Sequence, residues 1–295
     1  KTAYEIKECD WSSDVCSSDL WADKEAGRQM SSDAIFRIAS QSKAITSTAV
    51  LQLVEQGKIA LTDPVSRFIP AYERTTVSVR TDTGRAIVPA KRRITIGDLL
   101  THTSGYSYGT DAAVAALYAA KGLGPEAGYG WYTADKSEPV CSSMERLASL
   151  PAVAQPGEAW VYGYSIDILG CVVERVSGEP LEVYVERHIT RPLGMKDTYF
   201  FLPKNKRDRL TAVYMSDSTG RVRRAPDGAK GQGHYVDGPR MNYAGGAGLV
   251  STAFDYAKFL ECIRNGGAIG NVRILSPAAV TLMTTNMVEI GRAHV

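Results

Sequence analysis

The chain has 295 residues, 44% hydrophobic and 22% charged, with 34 basic against 32 acidic side chains. That is globular composition, neither disordered nor fibrous, and a net charge of +2 gives no basis for nucleic acid or an anionic membrane as partner. No run of eighteen apolar residues occurs, so the sequence offers no candidate transmembrane helix.

The two ends stand apart from the rest. Residues 1–20, closing in DWSSDVCSSDL, show no apolar period of 2 or 3.6. Suitable codons for 1–6 and 10–20 spell a common sequencing adapter, and the closing EIGRAHV, residues 289–295, resembles the same adapter read from the other strand. Both segments are set aside as non-native, as tags and fusion scars are. Residues 21–288 are expected to form one domain truncated at both ends, with any signal peptide outside the sequence. Within it Cys141, Cys171 and Cys262 form an odd, widely spaced set without a C-x-x-C pair. They are expected to be buried thiols, neither a disulfide framework nor a zinc site.

In chain order, residues 40–56 place Ile45, Ala49, Val50, Leu53 and Val54 on one helical face, with Gly57 suited to the position after the helix. A basic, β-branched stretch follows at 75–93. Thr95 and Asp98 fit a capping box opening a short helix over 97–103 that stops at Gly105. Helices are predicted at 112–121 and 143–150, with a Gly/Tyr/Trp-rich loop at 122–136. Residues 166–176 read as a buried helix, and 180–188 continues helically until Pro192. A hairpin around Ser218, Thr219 and Gly220 is predicted within 210–222. The glycine-rich turn 245–248 precedes helices at 252–264 and 277–287.

The sharpest chemical feature is FRIASQSK, which sets Ser40 and Lys43 three residues apart at a helix start. Residues i and i+3 share a face, so the amine can reach the hydroxyl. A serine hydroxyl is a poor nucleophile until a base takes its proton, and a helix N-terminus disfavours the charged form of a nearby amine. Ser and Lys at this spacing also occur by chance in most chains, so the flanks decide what the pair means.

Those flanks resemble the serine β-lactamase and penicillin-binding-protein superfamily, in its class C-related, esterase-like branch. FRIASQSK with the following LVEQGKIALTDPV matches the first motif in context. ITIGDLLTHTSG at 94–105, PGEAWVYGYSIDILG at 156–170, PLGMKDTYF at 192–200 and GGAGLVST at 245–252 match further landmarks in family order. The resemblance implies an α+β, β-lactamase/transpeptidase-like fold, an α/β sandwich beside a helical domain, here as a truncated, helix-rich segment. It implies a serine hydrolase that forms an acyl-enzyme on a small-molecule carboxylic ester or amide, with no cofactor and no metal. It also implies a periplasmic or secreted location.

Within the family pattern W-x-Y-[SG]-x-x-x-D-[VI]-L-G, Trp160, Tyr162, Asp167 and Gly170 fall into place. That selects Tyr162 as general base or proton relay beside Ser40 and Lys43. Tyr164, in the Tyr-Ser pair common at this motif, is the competing choice, and both Tyr164 and His234 are candidates to line the cleft. A phenol acts as a base only where an ammonium stabilises its phenolate, and Lys43 is the candidate. Tyr164 stands where class C β-lactamases carry an asparagine, which tilts the reading toward esters, with β-lactams or D-Ala peptides second. The Ser40 N–H would supply one oxyanion donor. The second, on the family's third motif, is expected beyond Val288. The chain alone is therefore expected to be inactive, with apolar faces such as that of 252–264 uncovered.

Two alternatives remain open at this level. One is a penicillin-recognising or peptidoglycan-binding protein that acylates with little turnover. The other is an α/β-hydrolase in which G-Y-S-Y-G at 105–109 is a nucleophile elbow with Ser107 as nucleophile, although a capped helical turn precedes it where an elbow needs a strand. His102 is read as structural.

Overall fold

A computed structural model describes residues 20–125, 135–228 and 230–288. The segments read as non-native, apart from Leu20, and most of the loop at 122–136 lie outside these residues.

The fold is built around α1 (Ser42–Glu55). Ile45, Ala49, Val50 and Leu53 are fully buried, and so are Thr46 and Thr48. A helix covered on nearly all sides belongs inside a domain. Gln56 ends it, and Gly57 follows with φ 69°, a left-handed position that suits glycine. α1 packs on α5 (Ser165–Ser177), whose Ile168, Leu169, Cys171, Val172 and Val173 are wholly buried.

Around this pair lie α2 (Ile96–Leu100), α3 (Ala115–Ala120), α4 (Val140–Ala148) and α6 (Leu181–Val185). The capping box forms as expected: Thr95 Oγ1 accepts the Asp98 N–H at 3.2 Å, and Asp98 Oδ2 accepts the Thr95 N–H at 2.8 Å. The buried Asp98 also takes both arms of Arg92, at 2.6 and 2.8 Å, which holds its carboxyl below the usual range. Three buried tyrosines hydrogen-bond outward from the core: Tyr72 to Met144 O, Tyr106 to Leu150 O and Tyr118 to Pro151 O. Each ring fills apolar volume while its hydroxyl is satisfied.

Several helix bounds differ from the sequence reading: the helices expected at 97–103 and 277–287 end at Leu100 and Thr284. The one expected at 112–121 begins only at Ala115, because Asp111 caps a preceding turn through the Ala113 N–H at 2.7 Å. The helical stretch expected at 180–188 is present, first as α6 to Val185 and then as a wider helical turn, Glu186–Thr190.

The cysteine expectation is corrected. Cys141 on α4 and Cys171 on α5 form a disulfide with their Cα atoms 4.9 Å apart, and Cys262 is the free, buried thiol. Spacing along the chain hid the pair, because only the packing of α4 on α5 brings the two positions together.

Strands among the described residues form five two-stranded antiparallel ladders. β1 (Trp21–Asp23) pairs with β2 (Arg28–Gln29), and β4 (Thr76–Thr81) with β5 (Gly84–Pro89). β6 (Tyr214–Ser216) and β7 (Val222–Arg224) make the expected hairpin. β3 (Phe36–Arg37) pairs with β8 (Val250–Ser251), and the Ile38 N–H donates to Leu249 O at 3.1 Å. This contact sets the chain entering Ser40 beside the glycine-rich turn at 245–248.

After β8 come α7 (Ala253–Arg264), the β9 (Ala268–Ile269) and β10 (Val272–Arg273) pair, and α8 (Pro277–Thr284). On α7, Phe259 and Cys262 are buried while Phe254 and Leu260 are 66% and 52% exposed. No helix of the described residues is long and apolar enough to cross a membrane.

Candidate active site

Ser40 lies in a 3₁₀ turn, Ala39–Gln41, that feeds directly into α1. Ala39 has φ 44°, a conformation that costs an L-residue with a Cβ and is held here by the surrounding contacts. Those contacts include the buried Ser42, whose Oγ accepts the Leu249 N–H at 3.1 Å, and Tyr256, whose hydroxyl donates to Gln41 O at 3.2 Å. The result is an exposed serine on a fixed turn at a helix N-terminus.

On the first turn of α1, the Lys43 ammonium reaches Ser40 Oγ at 3.3 Å, the Tyr108 hydroxyl at 3.0 Å and Gly246 O at 2.7 Å. It also lies 4.6 Å from the Tyr162 ring centroid and 5.6 Å from that of Tyr108. Both contacts are favourable for a cation over a π face.

The third group arrives from the segment before α5. Tyr162 is 38% exposed, and its hydroxyl donates to Ser40 Oγ at 2.5 Å. Its ring is held by Trp160, stacked at 5.7 Å, by Tyr108, edge-on at 5.6 Å, and by His102 at 4.9 Å. Ser40, Lys43 and Tyr162 therefore form one hydrogen-bonded cluster, the three groups selected from sequence.

His102 is buried with its Nδ1 unpartnered, and burial, aided by the charge of Lys43, lowers its pKa from 6.5 to about 4. It packs on Tyr162 as a neutral ring and, among the described residues, makes no hydrogen bond with Ser40. Its backbone carbonyl accepts the Val161 N–H at 2.8 Å, fixing the strand of chain that carries Tyr162.

The arrangement places a cation and a phenol on one serine hydroxyl. The sequence matches the Beta-lactamase family over residues 15–292. The chain belongs to that family. Among its Beta-lactamase relatives, Protein Rv1367c of Mycobacterium tuberculosis is 37% identical over 273 residues, covering 90% of this chain and 63% of that protein. Esterase EstB of Burkholderia gladioli is 34% identical, with 82% of this chain and 60% of that protein covered. The structure of EstCE1, described as a hydrolase with promiscuous acyltransferase activity, superposes with a TM-score of 0.68 at 28% identity, over 89% of this chain and 66% of that one. The chain thus spans less than two thirds of the length of these Beta-lactamase relatives. Its fold is the β-lactamase/transpeptidase-like α+β fold, as the motifs implied.

Other sequence candidates do not join the cluster. Tyr164 is 1% exposed and its hydroxyl accepts the Gly124 N–H at 2.9 Å, so it supports the site from beneath and does not line a cleft. His234 pairs with Asp135 and lines a separate cavity of about 590 Å³ with Arg37, Gln232 and Tyr235, a lining that includes none of Ser40, Lys43 or Tyr162. Ser107 is buried, its Oγ accepts the Gly109 N–H at 3.1 Å, and α2 with its closing turn precedes it where a nucleophile elbow requires a strand. The α/β-hydrolase alternative is corrected accordingly.

Sequence reasoning passed over Tyr108. It was read only as part of the G-Y-S-Y-G match, yet its hydroxyl is bonded to Lys43 and its ring bridges Tyr162 and Tyr164, the latter at 4.8 Å. The available signal was three tyrosines, 108 just beyond one landmark motif and 162 and 164 within another. Burial pushes the Tyr108 phenol well above its usual range, so it stays protonated and polar.

Proposed function

We propose that this chain carries the nucleophile and proton-transfer groups of a serine hydrolase that acts on small-molecule carboxylic esters through an acyl-enzyme. The observation that carries the reading is the shared Ser40 Oγ, bonded at once to the Tyr162 hydroxyl and the Lys43 ammonium. The esterase and acyltransferase names among the relatives support it.

In the reaction, Tyr162 acts in its phenolate form, with the Lys43 charge beside its ring compensating the negative oxygen. The phenolate takes the Ser40 proton as Oγ attacks the carbonyl carbon, and the carbonyl electron pair moves onto oxygen. The Ser40 N–H, in the turn that leads into α1, would donate to that oxyanion. Collapse expels the alkoxide, which takes the proton from Tyr162 and leaves as alcohol. Water then attacks the ester of Ser40 by the same route in reverse, giving the acid and restoring the serine. An alcohol in place of water would make the same cycle an acyl transfer. No step calls for a cofactor or metal.

We place the native domain of this reading at residues 21–288. The experiment that tests the function, like the kinetic and labelling experiments below, uses this chain extended to the length of its relatives, because the chain alone is expected to lack an oxyanion donor; it follows p-nitrophenyl acetate and butyrate by stopped flow and at steady state. A burst of nitrophenol equal to the enzyme, followed by sustained turnover, is the result expected. A stoichiometric burst with no turnover would favour the penicillin-recognising alternative, and neither burst nor turnover would remove the reading.

A further inference from the structure

We propose that Asp167 is a positioning residue for Lys43, acting through Gly246. The inference rests on the function proposed above and adds a residue that function does not use. Asp167 sits on the first turn of α5 and is 1% exposed. Its Oδ1 accepts the Gly246 N–H at 3.0 Å, and the carbonyl of the same glycine accepts the Lys43 ammonium at 2.7 Å. Thr46, one turn beyond Lys43, donates its hydroxyl to Gly245 O at 2.9 Å. The two glycines are thus gripped by α1 on one side and by a buried carboxylate on the other.

The grip tolerates no side chain. A Cβ on Gly246 would fall 2.4 Å from Asp167 Oδ2, and one on Gly245 would fall 2.8 Å from Ile166 O. Glycine at 246 therefore lets the carboxylate, the peptide and the ammonium stack in line. A fully buried carboxylate whose donors are the backbone N–H groups of Gly246 and of Asp167 itself is a poor choice for stability alone. Burial raises its pKa from 3.8 to about 6, against the lowering effects of the Lys43 charge and the Gly246 N–H. The titratable groups that face it are Lys43 from α1, Tyr108 from the loop after α2, Tyr164 at the start of α5 and, further off, Tyr72. Lys43 is the cation among them. Above pH 6 the ionised Asp167 orients Gly246 and supplies negative charge beneath Lys43. Below it, both functions weaken.

Asp167→Asn keeps the shape and removes the charge. In this variant, acylation of Ser40 by a p-nitrophenyl ester is expected to fall at least ~5-fold at pH 8, the order expected for a misplaced reacting group. The acid limb near pH 6 should vanish, with KM unchanged and the melting midpoint equal or higher. A role in folding alone would couple lost rate to lost stability, as Asp255→Asn, which removes another buried carboxylate bonded to Asp197 N–H and Thr198 and to none of Ser40, Lys43 or Tyr162, should do without moving the pH profile. A second readout is independent of catalysis: the rate at which Lys43 is modified by a water-soluble amine-acylating reagent, mapped by mass spectrometry. It should change at least ~3-fold in Asp167→Asn and not in Asp255→Asn. If Ser40 is not acylated in any variant, the function fails while Lys43 reactivity still decides the positioning claim. Unchanged Lys43 reactivity in folded Asp167→Asn, or unchanged acylation with its acid limb intact, would overturn it.

Discussion

Tyr162 and Ser40 are separated by 122 positions in the sequence, and the Tyr162 hydroxyl donates to Ser40 Oγ at 2.5 Å. The contact joins the turn before α1 to the turn before α5, so the packing of these two helices sets the geometry of the site. Removing the hydroxyl alone, in Tyr162→Phe, leaves the ring in its stack with Trp160 and His102. The acylation rate is expected to fall by about 10²- to 10⁴-fold, the usual worth of a positioned acid–base group. Circular dichroism and melting should be unchanged. A stopped-flow burst comparison measures this directly.

Lys43 has three oxygen partners and two aromatic faces, and its substitution should be more damaging to rate than to fold. Lys43→Met is expected to abolish the burst. Lys43→Arg should not restore it, since a planar guanidinium cannot place one donor on Ser40, Tyr108 and Gly246 together. An active Lys43→Arg would show that only charge matters there.

His102 gives the site a dependence on acid. Its folded pKa, about 4, lies below the unfolded 6.5, so the neutral ring is the form the fold prefers. Its contribution is complete above pH 6.5 and is lost as the pH falls toward 4, amounting to about 3 kcal/mol across that window. His102→Asn, a residue that tolerates the φ of 55° found here, should flatten this part of the profile. Urea midpoints at pH 7.5, 5.5 and 4 for both proteins provide the check.

The Cys141–Cys171 disulfide closes a loop of thirty residues between α4 and α5. Loop-closure entropy for that length corresponds to about 3–4 kcal/mol. Reduction, or Cys141→Ser with Cys171→Ser, should lower the unfolding free energy by that order. Intact mass after alkylation without reductant should show one modified thiol, Cys262, in unfolded protein carrying only the residues from 21 onward. Three modified thiols would contradict the bridge.

What the sequence disclosed divides by distance. The Thr95–Asp98 box, the Ser40–Lys43 pair and the end of α1 at Gly57 depend on residues a few positions apart, and local chemistry specified them. Tyr162 required the landmark spacing to Gly170, since fifteen tyrosines compete for the role. Contacts that arise only when helices meet were not legible: the Cys141–Cys171 bridge, the bond from Tyr108 to Lys43, and the path from Asp167 through Gly246. His234 shows the opposite failure, a reactive residue in a glycine-rich loop that packing directs to another cavity.

The central claim is that Ser40 is the nucleophile. Treating this chain, extended to the length of its relatives, with a fluorophosphonate and mapping the adduct by tandem mass spectrometry tests it most directly. The adduct is expected on Ser40, absent in Ser40→Ala and retained in Ser107→Ala. An adduct on Ser107, or labelling that survives Ser40→Ala, would contradict the account.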